Sequence, residues 1–279
     1  MSTSSGNGVA AMPATPARIG LWPSVRSDRL FVGLFAGLVG LAWLGLILWK
    51  ISPYGRFLSH EGVGEVAPMS REYLQLLAFF VAGWTLMTAA MMLPTSLPLF
   101  AFFRSLVRER ATRASLVTAL VIGYVAVWTA FAVVVHASDQ GIHSAVEHSA
   151  WLDRNAWLIM ASTFAVAGLY QFSTVKYRCL DKCRSPVGFV MAHWHEGRRR
   201  NALALGVRHG LFCLGCCWSL MLLMFAVGIG NIAWMLLLAA VMATEKNVSW
   251  GRRLSAPLGV ALLVCATAIA VLGTAGVSA

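Results

Sequence analysis

Residues 209–227 read HGLFCLGCCWSLMLLMFAV, nineteen positions with no Asp, Glu, Lys or Arg. An apolar run of about 20 residues is what a helix needs to cross the hydrocarbon core of a bilayer. Six further apolar runs flank it, at 30–49, 73–93, 114–135, 156–175, 232–244 and 256–274. None shows the period-2 alternation of an outer-membrane strand. The expectation is therefore an all-α, polytopic transmembrane helix bundle of about seven spans. The 232–244 run is short, and without it the count falls to six.

Composition agrees. Of 279 residues, 58% are hydrophobic and 12% charged, with a mean hydropathy of +0.71. Soluble domains carry roughly 25% charged residues. A net charge of +11 would point a soluble protein toward nucleic acid, but here its distribution has another meaning. Alternate loops hold eighteen of the Lys and Arg residues, against four on the other side. That asymmetry is the positive-inside pattern. It predicts a cytoplasmic N-terminus and a bacterial inner-membrane, multi-pass location, with lipid rather than nucleic acid as the partner.

Residues 1–29, rich in Ser, Ala, Gly and Pro, read as a disordered cytoplasmic tail. Residues 30–279 read as a single transmembrane helical domain. The run from Leu30 is too long for a secretory h-region and lacks a small-residue cleavage site, so it is expected to stay as an anchor. Pro94 and Pro98 should break or kink the second span and turn it toward the bundle interior. Residues 228–231 should close a tight hairpin between the fifth and sixth spans. The Gly33/Gly37 and Gly206/Gly210 pairs predict close helix packing.

Within residues 209–224 the soft donors share one face. At 100° per residue, His209, Cys213, Cys216, Cys217 and Met224 fall on a stripe about 100° wide. The rise from His209 to Met224 is roughly 22 Å, so one ion cannot touch them all. Cys213 with Cys216 or Cys217 spans about one turn and could share an ion. Cys179 and Cys183 lie four residues apart in a basic loop and would share a helical face. By the charge count both thiol groups lie on the cytoplasmic side, where disulfides are disfavoured. Four thiolates suit zinc, and two or three suit cuprous copper. Met91 and Met92, beside Met87, add thioethers that favour Cu(I). The metal ligands expected are thus Cys179, Cys183, Cys213, Cys216, Cys217, His209, Met91, Met92 and Met224.

Other polar groups read more plainly. Cys265 looks like an inert small core residue. His136, His143 and His148 are expected in a solvated outer loop. Glu245 is expected to pair with Lys246 or another nearby cation, and Lys246 to reach the membrane interface. No Walker loop, dinucleotide fingerprint or His-Glu-x-x-His motif is present.

The stretch 170–246 resembles a bacterial family of predicted metal-binding integral membrane proteins of unknown function. The matching residues are Lys176, Cys179, Leu180, Cys183, Pro186, Gly206, Gly210, Cys213, Gly215, Cys216, Cys217, Trp218, Leu220, Met221, Glu245 and Lys246. Met91, Met92 and Pro94 fit the family's methionine–proline element. The resemblance implies a multi-helix membrane protein that handles a metal, with copper the expected one and zinc second. An enzyme is the less favoured reading. The function expected is a Cu(I) chaperone, transport component or assembly factor. Its partner would be a membrane cuproenzyme or a soluble metallochaperone. Alternatives are a membrane thiol–disulfide oxidoreductase and a structural scaffold.

Overall fold

The computed structural model describes residues 29–52, 71–195, 197–227 and 231–277, and these are helical with no strand among them. The expected tail, up to residue 28, and the hairpin linker at 228–230 lie outside the described residues. In chain order the helices are α1 (Arg29–Ile51), α2 (Arg71–Leu106), α3 (Arg113–Glu147), α4 (Ala150–Arg154), α5 (Trp157–Tyr170), α6 (Thr174–Arg184), α7 (Pro186–His193), α8 (Arg199–Val227), α9 (Ile232–Asn247) and α10 (Ser255–Val277). A 3₁₀ turn, Gly251–Leu254, joins α9 to α10.

Among the described residues, α1, α2, α3, α8 and the Gly251–Ala275 stretch are each long and apolar enough to cross a membrane. The α5–α6 pair would make a sixth span if its 64° bend is counted as one broken crossing. α9 has only 16 residues, below the roughly 20 that a span needs. The seventh crossing expected from 232–244 therefore rests on a helix of marginal length. The run at 156–175 also divides. α5 stops at Tyr170, and Ser173 caps a new helix by accepting a hydrogen bond from the Lys176 amide at 3.0 Å.

Two further expectations change. α2 runs through Pro94 and Pro98 without a break. Neighbouring hydroxyls serve its backbone there: Thr95 Oγ1 and Tyr124 OH both donate to the Met92 carbonyl, at 2.8 and 3.3 Å. The carbonyls that Pro94 and Pro98 leave without an amide donor are those of Ala90 and Pro94, so the two hydroxyls reinforce the carbonyl between them rather than replace the lost bonds. α3 continues past residue 135 to Glu147, so His136 is not in a loop. It is buried at 1% exposure beside Phe80 and Tyr73, with ring centroids 5.0 and 5.7 Å away.

Packing follows the small residues. A Cβ on Gly206 would lie 2.0 Å from the Leu120 carbonyl oxygen, and one on Gly123 2.3 Å from that of Leu203. Gly210 meets Val127 and Tyr124 in the same way. Rising numbers on α3 thus meet rising numbers on α8, so the two helices run parallel with backbones in contact. Between lipid-bathed helices, close van der Waals packing of this kind replaces the hydrophobic drive. Gly33 and Gly37 have nothing within 4 Å of a built Cβ, so the same spacing on α1 makes no helix seam among the described residues. α1 and α10 instead carry outward-facing Leu34, Leu41, Ile51, Val264, Val271 and Leu272. Cys265 shares that exposed face of α10 and is not a core residue.

Candidate metal centre

Cys213, Cys216 and Cys217 are fully buried midway along α8, on the face turned toward α2, α6 and α9. Helical spacing brings them together, and the Cys216 and Cys217 thiols also donate to the Cys213 carbonyl at 3.0 and 2.8 Å. Two partners come from other helices. Cys183 on α6 places its Sγ 4.0 Å from that of Cys216, and Met92 on α2 places its Sδ 3.7 Å from Cys217 Sγ. Both Cys179 and Cys183 are half-buried, whereas the α8 thiols are closed off. The thiols therefore form a graded stack, from α6 at the rim to α8 and α2 inside.

Gly215 makes the α6 approach feasible. A Cβ there would sit 2.6 Å from Cys179 Sγ. Tyr170 fixes the same turn from α5 by donating to the Gly215 carbonyl and packing edge-on against Trp218 at 5.0 Å.

The charges around the stack are arranged differently from expectation. Lys176, from the basic stretch around Cys179 and Cys183, is fully buried and binds both Glu245 carboxylate oxygens, at 2.8 and 2.9 Å. Gln171 also accepts from it, and Ser255 donates to Glu245 at 2.6 Å. Arg184 turns to the carbonyls of Glu245 and Ser249, the latter at 2.8 Å. Glu245 thus pairs with Lys176 rather than its neighbour. Lys246 does not reach the interface. It is 5% exposed, and its ammonium lies 3.0 Å from Cys213 Sγ, 3.9 Å from Cys217 Sγ, 3.8 Å from Met92 Sδ and 3.2 Å from Thr95 Oγ1.

The remaining expected ligands take other places. His209 is buried, with Nε2 3.2 Å from Ser96 Oγ and its ring stacked on Tyr124 at 5.5 Å. Ser96 donates to Tyr124 OH, which lies 3.0 Å from Cys213 Sγ. His209 therefore communicates with the thiols through two hydroxyls, and its Nδ1 has no hydrogen-bond partner. Met91 is buried beside Met92 but points about 100° away around α2. Met224 is buried about 10 Å beyond Cys217 along α8.

Chemically these are soft donors in pairs. No three His, Cys, Asp or Glu side chains among the described residues close into one ion-sized cage. Metal–thiolate bonds of about 2.3 Å let two sulfurs bridge an ion at about 4 to 4.6 Å apart. The Cys183–Cys216 separation falls at the lower end of that span. A two-sulfur set of this kind suits a soft ion of low coordination number better than a tetrahedral ion that needs four. Lys246 and Tyr124 were not foreseen as partners of the thiols. The sequence signals for Lys246 were its place at the end of an apolar run and its part in the family resemblance, and neither named a thiol as its partner.

No curated protein and no solved structure matches the chain. The family model described as "PpoB2: Copper chaperone" matches residues 81–269, a stretch that contains the whole sulfur stack with Lys176, Glu245 and Lys246. The chain belongs to the PpoB2 copper chaperone family.

Proposed function

We propose that the protein is a multi-pass chaperone of the bacterial inner membrane that takes up Cu(I) from the cytoplasmic side and passes it to a membrane cuproenzyme. The observation that carries this reading is the graded sulfur stack. Half-buried Cys179 and Cys183 offer the first thiolates, and Cys216 lies 4.0 Å from Cys183. Cys213, Cys217 and Met92 follow inside. A bound ion would advance by exchanging one soft ligand for the next, each step keeping it two- or three-coordinate. Met91 and Met224 would extend the thioether steps along α2 and α8. The basic loops support a cytoplasmic mouth and N-terminus. The outward-facing Leu and Val of α1 and α10 support a lipid belt around one transmembrane unit spanning 30–279.

A test is anaerobic loading of the purified protein with Cu(I) and, separately, Zn(II), followed by elemental analysis. Wild type is expected to retain copper. Cys179→Ser/Cys183→Ser is expected to load slowly, and Cys213→Ser/Cys216→Ser/Cys217→Ser to retain none. Unchanged copper content in the variant lacking all five thiols would sink the reading. Copper-independent disulfide formation between Cys183 and Cys216 during turnover would favour a thiol oxidoreductase instead.

A further inference from the structure

We propose that Lys246 is a valence filter, its buried ammonium making the inner sulfur cradle accept a monovalent ion and refuse a divalent one. The inference rests on the reading of Cys213 and Cys217 as ligands and asks what the fourth group among them does. Nζ lies within 3.9 Å of both thiol sulfurs and within 3.8 Å of the Met92 thioether, so any ion held by these donors feels it at contact range. Its charge is not cancelled from next door. The Glu245 carboxylate is taken by Lys176 and Ser255 on the other side of α9. Thr95 beside it is neutral, and the Tyr124 hydroxyl and the Cys216 thiol stand next in the same cluster, around Cys213.

A lysine is expensive to bury inside a membrane protein, and one found there needs a partner or a task. Here its anionic partners are the thiols themselves. Metal ligation requires both in the thiolate form. Two thiolates and one ammonium leave a single negative charge, which a monovalent ion neutralises. With Cys213 and Cys217 as its two thiolates, a divalent ion leaves a net positive charge buried in low dielectric. The repulsion from Nζ also grows in proportion to the charge of the ion. Specificity of this kind works by penalising the wrong ligand rather than by improving contacts to the right one.

The experiment compares full-length wild type, Lys246→Met and Lys246→Arg in lipid nanodiscs. Cu(I) and Zn(II) affinities are measured anaerobically by competition with chromophoric chelators, and the Zn(II)/Cu(I) affinity ratio is the readout. Because each variant is compared with wild type for both ions, a general loosening of the fold that weakens both alike drops out of the ratio. Lys246→Met is expected to shift the ratio toward Zn(II) by about tenfold or more, and Lys246→Arg to keep the wild-type ratio. A ratio within about twofold of wild type in Lys246→Met overturns the filter, a difference too small for a contact-range charge. If Lys246→Met does not fold, Lys246→Gln, neutral and able to bond Thr95, carries the same comparison. Metal binding in wild type that ignores Cys213→Ser/Cys217→Ser overturns the underlying site, and the filter falls with it.

Discussion

Lys176 and Glu245 are buried against each other and against Gln171 and Ser255. Removing one partner of such a pair strands the other charge, at a cost of about 3–5 kcal/mol. Lys176→Met is therefore expected to lower the thermal unfolding temperature in detergent markedly, with Glu245→Gln added to it recovering most of the loss. A recovery of nothing would show that the two residues act independently. At Gly206 the argument is steric, because a methyl would meet a backbone oxygen at 2.0 Å. Gly206→Ala should cost roughly 1–3 kcal/mol by overpacking the α3–α8 seam, read in the same melt. At this scale the thiols were legible in the sequence, because 3.6-residue periodicity alone aligns Cys213, Cys216 and Cys217. The partners of the charges were not legible. Lys176 meets Glu245 across 69 positions, and Lys246 meets Cys213 across 33, choices that only tertiary packing makes.

Among the elements, α6 is the one that the sequence concealed. Its polar composition reads as loop, and its helicity depends on the Ser173 cap and on clamps to α9 through Lys176 and Arg184. Loss of such a cap costs about 1 kcal/mol. Ser173→Ala is expected to speed amide exchange over the first turn of α6 and to raise the alkylation rates of Cys179 and Cys183, with Cys213 left protected. Equal rates in the variant and wild type would mean that the clamps alone hold α6. The long helices were legible because uninterrupted apolar length is a strong signal. Where α5 ends was not, because the bend at residues 171–173 comes from a serine cap rather than from a change in hydropathy. α2 does not break as expected, although its Pro94–Pro98 segment does face the interior. Proline predicts a break or a kink from local chemistry, while the helix runs on through a segment packed among buried Met91, Met92, Leu93 and Leu99.

For the whole molecule, the charge asymmetry of the loops predicts which way the mouth faces. In a Cys265→Ser background, a membrane-impermeant maleimide should label Cys179 in inverted vesicles and leave it unlabelled in intact spheroplasts. Labelling in spheroplasts would reverse the orientation and send copper the other way. Orientation can be read from a sequence because it is a sum over many charges, whereas a site depends on a few specific contacts. The donors are also unequally mounted. Cys213, Cys216 and Cys217 ride on α8, which glycine locks to α3 backbone against backbone, and Met92 rides on α2, whose carbonyl is tied to Tyr124 of that same α3. Cys179, Cys183 and Lys246 ride on α6 and α9, which are joined by the Lys176–Glu245 ion pair and by a hydrogen bond from Arg184 to the Glu245 carbonyl, while α6 also packs closely on α8 at Gly215. The two mountings meet at one peptide bond, because Glu245 and Lys246 are neighbours on α9. The buried pair with Lys176 therefore sets where the Lys246 ammonium stands, and a change at Glu245 is expected to be felt at Cys213, a residue it does not touch.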